Sequence, residues 1–315
     1  MLTFAKLSKK PSQTRAFTGL TAEEFREFAG MYEPLWGRCR EAVRAVPVER
    51  QRALGGGRKL KLPSFEDRLL CFLIYAKLYC TYDLLGYLFD CDGATACRTV
   101  ADIRGVVGER LFVKRDGQGG GKRIRTIGEL LTAYPELEEV IVDATEQKIP
   151  RPKNKKKRKS HHSGKKQAFT IMTQVLARKD SLMLHVSSPM KGRRHDVTLF
   201  KKSAVPRWLG KHRDKIHGLA DGGYEGMDKQ YPEARILTPV KRQRNKPELT
   251  RQEIQDNKRH SSNRIPVEHG FAGVKQFQLL GQIYRNKEKH YKQYFVAIAS
   301  IRNFRLLVRT AAMQA

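Results

Sequence analysis

Acidic side chains are scarce in this 315-residue sequence. Thirty-two Asp and Glu stand against 62 Lys and Arg, which leaves +30 at neutral pH. A chain so short of one sign repels itself when compact, and a polyanionic partner such as nucleic acid gives a physical reason to keep the excess. Cysteine is scarce too. The five copies (Cys39, Cys71, Cys80, Cys91, Cys97) are odd in number and contain no C-x-x-C pair. That disfavours a disulfide framework and a zinc site, and it fits a reducing compartment. Long apolar runs are missing. The longest, "LLCFLIYAKLYC", is too short to span a bilayer and carries Lys77. The opening "MLTFAKLSKKPSQTRAF" lacks the apolar stretch of a signal peptide, and no amphipathic basic helix suits a membrane surface. These absences predict a soluble protein of the cell interior. Absent also are G-x-x-x-x-G-K-[ST], G-x-S-x-G and H-E-x-x-H, with the chemistries they carry. Apolar residues still make up 40% of the chain, enough for a sizeable core and two domains.

What is present divides into two textures. Residues 1–20 read as a basic, weakly ordered lead-in. At Thr21, "TAEEF" has the shape of a capping box, with Glu24 three residues on, and opens a helix to about Val46. "ALGGGRKLKLP" (53–63) is a flexible connector. "SFEDRLLCFLIYAKLYC" reads as a buried helix capped by Ser64. A short helix over Tyr82–Phe89, a turn at "DCDG" and a longer helix over Ala94–Leu111 follow the pattern of a helix-turn-helix. The second helix is expected to turn Thr95, Arg98, Thr99 and Asp102 outward, and Cys97, Val100 and Ile103 inward. Any three-helix bundle shares this pattern; the surrounding positive charge is what favours DNA reading. The helical domain is placed at 21–114, with a linker over 115–135 around "RDGQGGGKR".

From residue 136 strands alternate with helices. "EEVIVDATE" predicts a strand ending near Asp143. "KQAFTIMTQVLAR" and "SLMLHVSSP" form a hairpin through the turn at "KDS". "HDVTLFKKSAV" is a helix, "KIHGLADGGYEG" a strand ending at Asp221, and "ARILTPVKR" a fifth strand. "TRQEIQDNKRHSSNRIPVEHGFAGVKQF" is helical with a break near "HSSN", and "HYKQYFVAIASIRNFRLLVRT" is an apolar closing helix. Three strands, a helix, two more strands and closing helices follow the order of the ribonuclease-H-like fold. The predicted class is therefore α/β, with a mixed sheet flanked by helices over 136–315 and an all-α domain ahead of it.

Asp143 and Asp221 each follow an apolar strand, at the sheet edge where ligands gather in α/β folds. Taken separately, either reads as an ordinary turn residue. Glu268 adds a third acid. On a helix capped by Ser262 or Asn263, with Pro266 in its first turn, Arg264, Glu268 and Lys275 share one face, Glu268 about 40° and Lys275 about 20° round from Arg264. His269 points about 100° away. That face is either a surface salt-bridge ladder or a metal ligand flanked by phosphate-binding cations. Three hard oxygen donors suit Mg²⁺ or Mn²⁺, and two such ions can drive in-line displacement at a phosphodiester. The segment 151–166 gathers Lys155, Lys156, Lys157, Arg158, Lys159, Lys165 and Lys166 between two core strands. It is expected to contact DNA phosphates, with a nuclear localisation signal or a solvated loop as the other readings. In "RRHDVTLF", Asp196 is read as a helix-start residue and the role of His195 stays open.

"VIVDATEQKIPRPKN", "HDVTLFKKS", "LADGGYEG" and "RIPVEHGFAGVKQF" together resemble the blocks of DDE transposases from bacterial insertion sequences, in the large family numbered five, related to the Harbinger-like transposases. The resemblance covers roughly residues 64–310. It implies Asp143, Asp221 and Glu268 as the catalytic and metal-binding triad, with two Mg²⁺ or Mn²⁺ ions. It also implies Arg264 and Lys275 as DNA-binding cations from an R-x3-E-x6-K signature. The Tyr that precedes this Arg by three residues in related enzymes is Ser261 here. Tyr224 stands at the D-x-G-Y-x-G position and is read as packing the turn that presents Asp221. The implied activity is binding of terminal inverted repeats, cleavage at the element ends and joining of 3′-hydroxyls to target DNA. It implies at least a homodimer on DNA, acting in the bacterial cytoplasm at the nucleoid. A domesticated, non-cleaving DNA-binding protein and a nuclease that does not join are the alternatives.

Overall fold

The computed structural model describes residues 1–45, 60–115, 121–242 and 248–314. Most of the expected connector and residues 116–120 of the expected linker lie outside the described residues. By its contacts the chain divides into two units. One comprises Met1–Arg123, Gln276–Leu279 and Val296–Ala315; the other comprises Ile124–Lys275 and Leu280–Phe295.

The first unit opens with α1 (Phe4–Leu7) and α2 (Pro11–Thr18). The lead-in expected to be weakly ordered is therefore folded. Phe4 stacks on Phe25 with ring centroids 3.9 Å apart, its backbone N–H donates to Asp67 Oδ1 at 2.8 Å, and Leu7 is buried. α3 (Ala22–Ala45) starts at the predicted capping box: Thr21 Oγ1 accepts from the Glu24 N–H, and Glu24 Oε2 accepts from the Thr21 N–H. α4 (Phe65–Leu78) is capped by Ser64 and buried along most of its length. α5 (Tyr82–Phe89) and α6 (Gly93–Val107) form the helix-turn-helix pair, with Asp90 left-handed in the turn and Asp92 capping α6. α6 stops four residues early, because Leu111, Phe112 and Val113 are needed as the buried part of β1 (Leu111–Arg115). β1 pairs with β2 (Gly121–Ile124) where a linker was expected.

α7 (Leu130–Ala133) also falls in that expected linker and leads into the second unit's sheet. There follow β3 (Glu139–Lys148), α8 (Lys155–His161), β4 (His162–Ser163), β5 (Ala168–Ala177), β6 (Met183–Val186) and β7 (Met190–Lys191). Next come α9 (Asp196–Lys202), α10 (Val205–Lys211), β8 (His217–Ala220), α11 (Met227–Gln230) and β9 (Ile236–Leu237). α12 (Arg251–Lys275), α13 (Gln278–Gly281) and α14 (Tyr291–Gln314) complete the chain. The sheet runs β4-β5-β3-β8-β9, and β6 and β7 also pair with β5. β5 is antiparallel to β3 and β6, whereas β3, β8 and β9 are parallel. Three sequential antiparallel strands followed by two parallel ones reached through helices is the ribonuclease-H-like arrangement, as the element order predicts. The central strands carry fully buried runs such as Val140–Val142, the pattern of strands covered on both faces.

Three further boundaries differ from expectation. β3 runs five residues past Asp143, because its antiparallel ladder with β5 continues to Lys148↔Thr170. α12 is unbroken through "HSSN". Ser262 Oγ donates to the Lys258 carbonyl one turn back and does not cap a new helix, and Pro266 sits inside the helix. The end of α14 belongs to the first unit, where Ser300 Oγ accepts from the Phe112 N–H at 3.0 Å and Asn303 Nδ2 donates to the Phe112 carbonyl at 2.8 Å.

Candidate active site

Sheet register brings the first two aspartates together. The parallel ladder between β3 and β8 closes on Val142↔Ala220. The next residues are Asp143 and Asp221, on neighbouring strands spaced about 4.8 Å apart. They stand where parallel pairing ends, although β3 itself continues. Asp221 then caps the short turn Gly222–Tyr224, its Oδ1 accepting from the Gly223 N–H at 2.9 Å. Lys241 braces that turn through Glu225 at 3.0 Å, and His260 of α12 bonds the Ala220 carbonyl at 2.8 Å. Neither brace was visible in the sequence, because both come from segments distant along the chain.

Asp143 is largely enclosed. Burial pushes its carboxyl up to about 6, against the Ala144 N–H at 2.8 Å and the Arg264 guanidinium at 3.4 Å, while Asp221 and Asp196 push it further up. Asp196 is therefore part of this group, which sequence reasoning missed. It does stand in the first turn of α9, as expected of a helix-start acid. Its Oδ2 also lies 3.3 Å from where a Cβ on Gly223 would stand, and Asp221 Oδ1 lies 2.9 Å from the same point. Burial raises the pKa of Asp196, Asp221 and Glu146 add to the rise, and Lys165 and His195 oppose it. His195 is exposed and makes no capping bond.

Tyr224 lies beneath the acids, fully buried. Its ring meets Phe200 edge-on at 5.8 Å and its hydroxyl accepts from Gln174 Nε2 at 3.4 Å. Burial and the charges of Asp196, Asp143 and Asp221 hold its hydroxyl well above the ordinary value. It packs the turn from below.

Glu268 is not gathered into the group. It is exposed and makes no hydrogen bond or ion pair among the described residues. Its helix face is nonetheless turned toward the site. Arg264, about 6 Å back along the axis, touches Asp143, and the ammonium of Lys275 is influenced by burial first, then by Lys166 and Asp143. His269 is exposed.

These side chains offer only oxygen donors, and their mutual repulsion is offset by one guanidinium in contact. That donor set suits a hard divalent cation such as Mg²⁺ or Mn²⁺. Among the described residues no three His, Cys, Asp or Glu converge closely enough to hold an ion as they stand. The residues thus fit such an ion in chemistry, and closing around it takes side-chain movement.

The family described as the DDE superfamily endonuclease matches residues 142–303, and the helix-turn-helix of DDE superfamily endonucleases matches residues 60–112. A protein of Microchaete diplosiphon, provisionally named as the transposase for insertion sequence element IS702, is 30% identical over 290 residues. That match spans 92% of this chain and 97% of the relative. The chain belongs to the DDE transposase superfamily. A Streptomyces albus G protein, provisionally named for insertion sequence element IS112, is 30% identical over 99 residues, 31% of this chain and 34% of that one. No solved structure matches.

In this DDE transposase the basic segment between the first two core strands folds into a helix over Lys155–His161. Asn154 caps α8, its Oδ1 accepting from the Lys157 N–H at 3.1 Å. Lys155, Lys156, Lys157, Lys159, Lys165 and Lys166 are exposed, and Arg158 is half-buried. The helix is anchored by His161, 1% exposed, which lies 3.3 Å from Glu288. On α6, Arg98 is exposed and donates to Thr95 Oγ1 at 3.0 Å. Thr99 is the correction: at 3% exposure it packs inward, while Cys97, expected inside, is only half-buried. Asp102 is held from both sides, by Trp36 Nε1 at 2.9 Å and Arg68 at 3.0 Å, and so is not presented to DNA. Among the described residues no helix is long and apolar enough to cross a membrane.

Proposed function

We propose that the protein is an insertion-sequence transposase. It binds the terminal inverted repeats of its element, cleaves the DNA at the ends and joins the freed 3′-hydroxyls to target DNA. The observation that carries this reading is the register that sets Asp143 beside Asp221. Asp143, Asp221 and Glu268 would hold Mg²⁺ or Mn²⁺, two ions per site, with Asp196 as a further oxygen donor. Bound there, such ions supply the Lewis acidity for in-line displacement at a phosphodiester.

The chain's own groups position the substrate. Arg264 favours the ionised form of Asp143, and its buried Nε–H, without an acceptor, is a donor for a phosphate oxygen. Lys275 adds charge on the same helix face. Lys155–Lys159, Lys165 and Lys166 grip phosphates and carry affinity rather than sequence reading. Thr95 and Arg98 on α6 face the major groove and read base edges. Joining two ends calls for two active sites, hence a homodimer or larger assembly on DNA, working at the nucleoid in the cytoplasm.

The test is incubation with Mg²⁺ and DNA carrying the element ends. Nicks at the ends followed by joined products are expected, and Asp221→Asn should abolish both while binding persists. Specific binding without cleavage by the unmutated protein would mark a DNA-binding regulator that keeps the fold. Cleavage without joining would mark a nuclease.

A further inference from the structure

One edge of β5 is lined in turn by β4, β7 and β6. Three adjoining cavities follow this edge within the second unit. The first, about 590 Å³, includes Lys156, Lys191, Arg194 and His195. The second, about 340 Å³, shares Lys191 and Arg194 with the first and adds Lys202. The third, about 530 Å³, shares Lys202 with the second and reaches Arg125, His185 and Lys292. Among the described residues no acid lines the first or the third. The second has Glu288, already held by His161 at 3.3 Å and Lys157 at 3.9 Å. Among the described residues none of Lys191, Arg194, Lys202 and Lys292 forms an ion pair.

Cations on an edge strand have an ordinary explanation, since they keep the edge from pairing with another chain. That accounts for the exposed Lys191. It does not account for Lys292, half-buried and gathered with Arg125 and His185 in one concavity. Burial and Arg125 lower the pKa of Lys292, and burial and Lys292 hold His185 down to about 4. Gathering the Lys202 and Lys292 ammoniums in one hollow costs stability unless an anion comes to it. The hollow is also connected to the carboxylates. α9 begins at Asp196 beside Asp221 and ends at Lys202 in the second and third cavities. Its seven residues span about 10 Å at 1.5 Å per residue. One DNA strand places a phosphate about every 3.4 Å of axis, so this is about three nucleotides.

We propose that the β4–β7–β6 edge is a second phosphate track, taking the sugar–phosphate backbone of a nucleic-acid strand from the carboxylate site past His195 and Lys202 to Arg125 and Lys292. The track rests on the proposed active site only for its direction, since backbone binding needs no cleavage.

The test is the salt dependence of binding by the full chain to a duplex of arbitrary sequence, without divalent ions. The triple variant Lys191→Gln/Lys202→Gln/Lys292→Gln should flatten the slope of log K against log salt by about two to three, at about 0.9 per lost phosphate contact. A charge-matched triple, Lys179→Gln/Lys211→Gln/Lys229→Gln, removes three exposed lysines of the same unit and should change the slope by less than about one. An unchanged slope, or equal effects from the two triples, overturns the track. If Lys292→Gln disturbs folding, the exposed Lys202→Gln alone should flatten the slope by about one, and no change would be equally fatal. Asp221→Asn leaves this readout alone, so failure of the active-site reading and failure of the track are separable.

Discussion

Asp143 is pulled two ways. Its place in the interior favours the protonated carboxyl, while gripping a cation requires the ionised one. Its pKa of about 6 in the fold lies above the ordinary value near 3.9. Between these values the folded protein holds a proton that the unfolded chain has released. Stability from this group is therefore complete below about pH 4 and lost as pH rises through about 6, a loss of about 3 kcal/mol. Asp143→Asn, which mimics the neutral form, is expected to melt higher than the parent at pH 8 without divalent ions, and at nearly the same temperature at pH 4. Thermal melts at the two values check this; a variant less stable at pH 8 would show that the Arg264 contact outweighs burial. The pairing of Asp143 with Asp221 was legible because each follows an apolar run, and the parallel ladder of β3 with β8 ends just before both. Asp196 was not. A His-Asp helix start reads the same whether its acid faces solvent or a carboxylate cluster, and nothing local says which loop returns to the sheet edge. For Glu268 the helical spacing gave the face but not the distance. Thr99 was misplaced by one position of helix phase, which the two-residue polar stretch Arg98–Thr99 cannot fix.

Elements were legible where capping chemistry is local and misjudged where tertiary contacts decide. The starts of α3, α4 and the helix-turn-helix were visible because Thr21, Ser64 and the "DCDG" turn make their bonds within three residues. The break expected in α12 failed because Ser262 can satisfy its hydroxyl inside a helix as well as at a cap. α8 was missed for the opposite reason. Five consecutive cations, Lys155–Lys159, repel one another, and the seven-residue segment is too short to be helical alone. It is held at one end by Asn154 and at the other by buried His161 against Glu288. Asn154→Ala is thus expected to cost about 1 kcal/mol of local helix stability, seen as faster amide exchange over 155–161 with little change in the global melt. DNA affinity should fall with it, since a frayed helix spreads the lysines that would meet phosphates together. Unchanged exchange would mean that the His161 anchor alone orders the segment.

For the whole molecule the dominant fact is the +30 charge, and it makes salt act in opposite directions on two observables. Without DNA, like charges crowd the folded surface, and added salt screens them over a Debye length that shrinks from about 30 Å at 0.01 M to about 10 Å at 0.1 M. The compact state gains more from this than the expanded chain, so the melting temperature of the free protein should rise with salt over that range. With DNA, the same cations gain by releasing counterions from the phosphates, and that gain shrinks as salt rises, so affinity should fall steeply. Melts and binding titrations across one salt series would show curves of opposite sign. At low salt, DNA should stabilise the protein most, because the polyanion neutralises what salt otherwise screens. A melting temperature that fell with salt would indicate that the 32 acids already pair off enough of the cations to make screening a net loss. The partner inferred from composition would then have lost its physical basis, whatever the carboxylate site proves able to cut.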